Sequence, residues 1–279
     1  MFTLRKILTV ITSLLIDTGC GSGDLNQFIR SSRIIGDKQK LIVINTHNHP
    51  EQTGGNWSFS TTGKFGLSHN VECLCASSAD ENYTKLRDTQ YDWQVKVYKL
   101  TRWIANEEII LLGDSNDLKN VVKVIHSPGH TPDSIILWYQ YDNRVFIGDI
   151  FYQFSDILLI YDWSNIKDYE RSVRSLVNFI AQQEEGHTRT LRYSSAKSEC
   201  DNRCSPTLKN FHRFLLTILA GVQSGIELRI DEYEGSRYET RDKDEQIAKR
   251  QSYAIFMHIA NTKNDAAWRY NQITAGYDM

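Results

Sequence analysis

Four apolar, strand-like runs in the first 150 residues each end in a turn that carries a metal-capable side chain. Leu14-Leu15-Ile16 gives way to Asp17-Thr18-Gly19. Leu41-Ile42-Val43-Ile44 gives way to Asn45-Thr46-His47-Asn48-His49-Pro50-Glu51-Gln52. The β-rich stretch 120–125 runs into His126-Ser127-Pro128-Gly129-His130, and the run 144–147 ends at Gly148-Asp149. Short β-branched runs closed by Gly or Pro turns read as buried strands. A chain with this pattern has to be built on sheets, with its chemistry at the strand ends. Two histidines two residues apart, just past a strand, can aim both imidazoles at one point, and neutral imidazole is a common metal ligand.

Helical periodicity appears between and after these strands. Residues 25–30 suggest a short helix. Residues 165–183 carry Ile166, Tyr169, Val173, Leu176, Val177 and Ile180 at helical spacing, and residues 210–222 present Phe211, Phe214, Leu215, Ile218 and Leu219 on one broad face. Further strands are expected at 71–75, 94–100, 108–112, 189–193, 226–233 and 253–259, with a hairpin of 135–141 and 144–147 around Asp142-Asn143. A polar helix is expected over 76–88, and loops over 58–68 and 151–160. The tail from Asn261 is polar and weakly specified. Strands dominating the first half with helices between and after them favour a layered α/β or α+β domain over a bundle or an all-β sandwich. No composition break divides the chain, so one domain over residues 1–279 is expected.

Composition removes several classes. Hydrophobic residues make up 41% and charged residues 24% of 279, ordinary for a globular protein. A net charge of −2, with no basic cluster interleaved with aromatics, argues against a nucleic-acid partner. Five cysteines, Cys20, Cys73, Cys75, Cys200 and Cys204, are too few and odd in number for a disulfide scaffold, which points to a reducing compartment. The N-terminus allows two readings. Arg5 and Lys6 precede an apolar run over 7–16 with the layout of a signal-peptide core, too short to span a bilayer. The competing reading, favoured here, makes Leu14-Leu15-Ile16 a strand that delivers Asp17. The expected location is therefore cytoplasmic, with secretion the alternative if residues 1–16 are a signal. No membrane partner is expected.

Taken together, these motifs resemble the metallo-β-lactamase superfamily. Asp17-Thr18-Gly19 matches its first motif. Thr46-His47-Asn48-His49-Pro50-Glu51-Gln52 aligns in frame with Thr-His-x-His-x-Asp-His. Ser127-Pro128-Gly129-His130-Thr131-Pro132-Asp133-Ser134 is close to Pro-Gly-His-Thr-x-Gly-Ser, and Gly148-Asp149 matches Gly-Asp. Order and spacing agree over about residues 10–200, which leaves residues 201–279 to complete the domain or extend it. The resemblance implies a four-layer αββα sandwich with the site at one edge of its two sheets. It also implies that His47, His49 and His130 bind one metal, zinc, with Asp149 as a further ligand and Asp17 behind the histidines. The second metal of the family loses its ligands here, since Glu51 and Gln52 stand where Asp and His belong. No late histidine follows 189–193, where Tyr193-Ser194-Ser195 stands instead. His187 lies before that strand, poorly placed. Because Asp17 comes so early, there is room for only one strand ahead of it, which implies a shortened N-terminal sheet or an incomplete chain.

Three imidazoles with an open position make a complete catalytic zinc site, able to bring the pKa of water to around 7. The leading reading is therefore a one-zinc hydrolase acting on an ester, thioester or amide-like acyl group of a small molecule, with Asp149 and Glu51 as candidate catalytic carboxylates. Asp149-Ile150-Phe151-Tyr152, with Asp162-Trp163 and Asp168-Tyr169, resembles the small animal proteins of the family related to glyoxalase II, which leans the substrate toward thioesters. The alternative is a degenerate member that keeps the fold and binds a ligand or partner without catalysis. A nucleic-acid-processing member is disfavoured by the charge and the length. The acyl group and the oligomeric state are not written in the sequence.

Overall fold

A computed structural model describes residues 3–4, 12–60, 67–86, 95–153, 155–185, 190–230, 233–240 and 254–258. The chain divides into two compact units. One comprises Met1–Ser127 and Thr131–Gly148, the other Pro128–His130 and Asp149–Met279.

The first unit begins with β1 (Thr3–Leu4), β2 (Thr12–Ile16), α1 (Leu25–Ser31), β3 (Lys40–Ile44), the one-turn α2 (Pro50–Thr53), β4 (Val71–Ser77), the one-turn α3 (Glu81–Thr84) and β5 (Arg102–Ile104). These strands form a sheet in sequence order, with β2 to β5 parallel and β1 antiparallel at the edge. Parallel neighbours need a crossover, and α1, α2 and α3 lie in those connections. The result puts the carboxyl ends of β2 and β3 on one rim, where open parallel sheets bind their ligands. β6 (Ile109–Leu111), β7 (Val121–His126), β8 (Ile135–Tyr139) and β9 (Arg144–Phe146) make an antiparallel run in the order β9-β8-β7-β6. Since β8 is antiparallel to both β7 and β9, these two point the same way. Their ends, carrying His130 and Asp149, therefore fall on one side.

Alternation explains the packing. Ile42 and Ile44 of β3, with Ile16, Cys73 and Cys75, face Val122, Val124, Ile135 and Leu137 of the antiparallel strands. Leu41, Val43 and Leu15 point the other way, onto Leu25, Ile29 and Phe59 beside α1. The pairing slips by one residue between Leu41↔Val71 and Ile42↔Cys73, so exposed Glu72 is the extra residue of a bulge. The bulge is why Val71 and Leu74, three apart, share a face.

The second unit contains β10 (Asp156–Leu159), α4 (Ile166–Glu184), β11 (Arg192–Ser194), β12 (Asn202–Arg203), α5 (Thr207–Leu219), β13 (Ile226–Ile230), β14 (Tyr233–Glu239) and β15 (Ala254–His258). A sheet runs β10-β15-β14-β13, with β10 and β15 parallel. Asn165 caps α4 by accepting from the Lys167 and Asp168 amides at 3.0 and 3.1 Å. α4 buries Ile166, Tyr169, Val173, Leu176 and Ile180, the face its periodicity predicts. None of the described helices is long and apolar enough to cross a membrane.

Several local expectations change. The strand expected at 94–100 is irregular over its described part. Ser60 Oγ takes the Lys99 amide and Thr101 carries the pairing to Leu74, so a ladder begins only at Arg102. Over its described part, 76–86, the helix expected over 76–88 shrinks to α3, because β4 continues to Ser77 and Asp80 caps the turn at the Tyr83 amide. The loop expected over 151–160 contains β10, an apolar run at Ile157-Leu158-Leu159-Ile160 whose partner β15 lies about a hundred residues later. β14 also went unread, since its charged, Gly-containing sequence has few apolar positions. Two strands precede Asp17 rather than one, the first only two residues long. Leu14-Leu15-Ile16 is a sheet strand, with Leu15 fully buried. All five cysteines are free thiols. His187 and the tail from Asn261 lie outside the described residues.

Candidate metal centre

The turn after β3 is held by a buried polar network. Asp17, just past β2, sits in the left-handed region at φ 59°. Its carboxylate accepts from the Thr46 amide at 2.7 Å and the Thr46 hydroxyl at 2.9 Å, while Thr46 O accepts from the Ile135 amide at 2.9 Å. Below the turn, Asn45 and Asn56 exchange side-chain hydrogen bonds of 3.2 and 2.9 Å, and Thr18 Oγ1, whose one proton has Gln52 O and Asn56 Oδ1 as acceptors, lies 2.9 Å from Asn56 Oδ1. Gln52 O accepts from Asn45 Nδ2, Thr18 Oγ1 and the Thr18 amide, each at 2.8 Å. A side chain at Gly55 would put its Cβ 2.2 Å from Thr18 O, so that close approach needs glycine.

This network decides a tautomer. Thr46 Oγ1 has one proton, spent on Asp17, and lies 3.1 Å from His47 Nδ1. His47 Nδ1 must then be the donor, which leaves the Nε2 lone pair facing His49 Nδ1 at 3.1 Å. Two nitrogens about 2.0–2.1 Å from one tetrahedral ion stand about 3.3 Å apart, close to this spacing. The two rings are edge to face, with centroids 4.7 Å apart.

His130 is prepared in the same sense. Its Nδ1 lies 3.0 Å from Leu158 O, a carbonyl that can only accept, so Nδ1 carries the proton and Nε2 presents its lone pair on the side away from Leu158. The turn bearing it is bolted to the start of α4. Ser164 Oγ donates to His130 O at 2.8 Å, the Asn165 amide to Gly129 O at 2.8 Å, and Ser172 Oγ to Pro128 O at 2.7 Å. Gly129 has φ 132°, and a Cβ there would lie 2.2 Å from the Tyr169 backbone. Pro128–His130 clusters with the second unit, yet peptide bonds tie both its ends, Ser127 and Thr131, to the first. Chain connectivity thus brings His130 to the pair. One ligand nitrogen from each of His47, His49 and His130 lies within 4.8 Å of the others. All three rings are buried, between 2% and 5% exposed. The donor set and its dryness fit one divalent cation.

Asp149 stands at the margin of this cluster, its Oδ2 3.6 Å from His130 Nε2. Burial pushes its carboxyl up to about 6, with Lys197 pulling the other way. Tyr169, whose hydroxyl donates to Ile150 O, is held well above its usual range by burial and by Asp149. Glu51 is half-buried in the first turn of α2 and does not join the three-histidine cluster.

Residues 10–185 match the family model described as the metallo-β-lactamase superfamily. The chain belongs to this superfamily. It is 26% identical over 190 residues to the human "Acyl-coenzyme A thioesterase MBLAC2", covering 60% of this chain and 64% of the relative. The chicken protein of the same name is 26% identical over 188 residues, covering 60% and 63%. The match thus spans just under two thirds of these relatives. Among solved structures, a β-lactamase domain protein from Burkholderia ambifaria aligns with a TM-score of 0.55 at 15% identity, covering 79% of this chain and 66% of that one. The di-iron-bound form of TTHA1623 aligns with a TM-score of 0.51 at 16% identity, covering 72% and 88%. These likenesses bear out the expected mixed α/β fold of the metallo-β-lactamase type. Membership implies a divalent metal.

Where the superfamily's late histidine was expected, after β11, the chain places hydroxyls and an acid. Glu199 is buried, and its Oε1 accepts from the Gln153 amide at 2.6 Å. Its Oε2 accepts from Ser195 Oγ at 2.6 Å and Ser198 Oγ at 2.7 Å. Sequence reasoning missed Glu199, and it also missed Asp133, which is 1% exposed. Burial pushes Asp133 up to about 6 against the hydroxyls of Thr131 and Thr84. The available signal was an acid in the motif position that the family pattern gives to glycine.

Proposed function

We propose that this protein is a hydrolase of acyl thioesters that uses a single zinc ion held by His47, His49 and His130. The observation that carries the reading is the geometry of the three imidazoles. Buried partners occupy the far nitrogens of His47 and His130, and the near nitrogens gather within 4.8 Å. Zinc held there by these three residues would supply Lewis acidity and a nucleophilic water near neutral pH. Asp149, 3.6 Å from His130 Nε2, orients that water and takes its proton. Water oxygen bonds to the acyl carbon, the carbon–sulfur bond breaks, and the proton held at Asp149 passes to the departing sulfur. The products are a carboxylic acid and a thiol. Thioesters are favoured because the MBLAC2 relatives are named acyl-coenzyme A thioesterases. The single ion is favoured because Glu51 and Gln52 replace the second set of ligands and both oxygens of Glu199 already accept from protein donors.

The test is a zinc titration followed by a panel of acyl-CoA and simple alkyl thioesters, with matched oxoesters. Turnover should appear with zinc, saturate at one ion per chain and vanish with a chelator. A zinc-loaded protein inert across the panel would leave the non-catalytic binding reading in its place. Two tightly held ions per chain would sink the single-ion assignment. Glu51→Gln measures the second candidate base: a lower rate at unchanged zinc content gives it a proton-transfer role, and no change removes it from the mechanism.

A further inference from the structure

Asp133 gathers three segments of the first unit around one buried carboxylate. Its Oδ1 accepts from the Thr131 hydroxyl at 2.8 Å and, at 3.4 Å, from the Asn48 backbone amide. Its Oδ2 accepts from the Thr84 hydroxyl at 3.0 Å. Asn48 stands between His47 and His49, Thr131 follows His130, and Thr84 closes α3. The Asn48 side chain returns to the same helical turn, donating to Tyr83 O at 3.1 Å and Leu86 O at 2.8 Å. The bonds therefore close a ring from Asp133 through Thr84, α3 and Asn48 back to Asp133, with Thr131 attached. No atom of this ring is a ligand. What it fixes is the backbone on which the ligands stand, and binding geometry has to be held within about 0.5 Å.

We infer that Asp133 is a positioning residue of the metal centre, tying the backbone between His47 and His49 to the turn that follows His130. The inference rests on the metal-centre reading above. It makes a specific demand on substitutions, because the ring needs acceptors and shape rather than charge. Thr84 Oγ1 also lies 2.8 Å from Asp80 O, so its one proton has a second acceptor. In Asp133→Asn, the new carboxamide can accept from Thr131 and Asn48 through its oxygen and donate to Thr84 Oγ1 through its nitrogen. Every link survives. In Asp133→Ala the three links to the carboxylate are lost, the turn after His130 is no longer tied in, and only the Asn48 side chain still joins the ligand turn to α3.

The experiment uses the full chain and three readouts. These are the zinc dissociation constant by chelator competition, the visible spectrum of the cobalt(II)-substituted protein, and thermal unfolding of the metal-free protein. Asp133→Ala is expected to weaken zinc binding about 10–100-fold, the usual cost of removing an outer partner, and to alter the cobalt bands. Asp133→Asn should keep the wild-type constant and spectrum, whatever it does to the unfolding temperature. Thr84→Val, which keeps the side-chain shape and removes the hydroxyl, should weaken zinc in the same direction. It also carries the test if Asp133→Ala does not fold. Wild-type affinity in Asp133→Ala or in Thr84→Val overturns the inference, and so does an equal loss in the Ala and Asn variants, which would make charge the cause. If the wild-type chain itself binds no zinc, the metal-centre reading fails first, before any variant is compared.

Discussion

The turn after β3 and the turn after β11 are both buried and both dense with polar side chains, yet they use them in opposite ways. In the first, Asp17, Thr46, Asn45 and Asn56 take up the backbone and the far side of His47, leaving the near nitrogens of the pair turned toward each other. In the second, Glu199 has protein donors on both oxygens, from Gln153, Ser195 and Ser198. A buried polar group satisfied by the protein has little to gain from an ion. One left facing others across an ion-sized gap has much to gain. The comparison teaches that a ligand position is recognised by which of its atoms the protein leaves facing the site, and burial alone does not mark it.

The largest effect should come from breaking the first turn. His47→Ala, His49→Ala and His130→Ala should each lose both zinc and turnover, since each supplies one of three strong ligands. Elemental analysis alongside thioester assays checks this, and a variant that keeps stoichiometric zinc would remove that histidine from the site. Next, Asp149→Asn should keep zinc, because the histidines remain, and lose about 10²–10⁴ in rate through the missing base. Equal losses of zinc and rate would instead make Asp149 a ligand.

The second turn should behave differently. Glu199→Ala strands the Gln153 amide and the Ser195 hydroxyl, while Ser198 Oγ keeps Gln153 O as an acceptor at 2.9 Å, costing about 1–3 kcal/mol in denaturant unfolding while leaving zinc content untouched. Loss of zinc in that variant would erase the contrast between the turns. The smallest effect is a pH dependence of the metal-free protein. Burial raises Asp133 from 3.8 to about 6, so the folded state holds its proton more tightly than the unfolded chain does. The stability this provides is fully present below 3.8 and is lost as pH rises through about 6. The full span is worth about 3 kcal/mol, of which about 1 kcal/mol falls between pH 5 and 8. Asp149, raised to about 6 by the same cause, adds a slope of the same sign, so Asp133→Asn should make the thermal-unfolding slope across that window shallower without abolishing it, and an unchanged wild-type slope in the variant would assign the dependence to another group.

The sequence by itself determined the strand ends, the residues on them and the family. Those signals are local: a β-branched run, a Gly or Pro turn and an imidazole within a few residues. It also supplied the faces of α4 and α5, because helical periodicity is written over short spacings. What it left open was set by partners distant in the chain. β10 needs β15, and β4 gains its bulge only when laid beside β3. The proton on His130 Nδ1 is placed by the carbonyl of Leu158, and that on His47 Nδ1 by a hydroxyl whose own proton goes to Asp17, thirty residues earlier. Asp133 looked like one residue of a turn until the fold placed Thr84 and Asn48 against it. Local sequence chose which side chains stand at the strand ends. Only long-range contact decided which of their atoms are held by distant donors and acceptors and which face the neighbouring imidazoles.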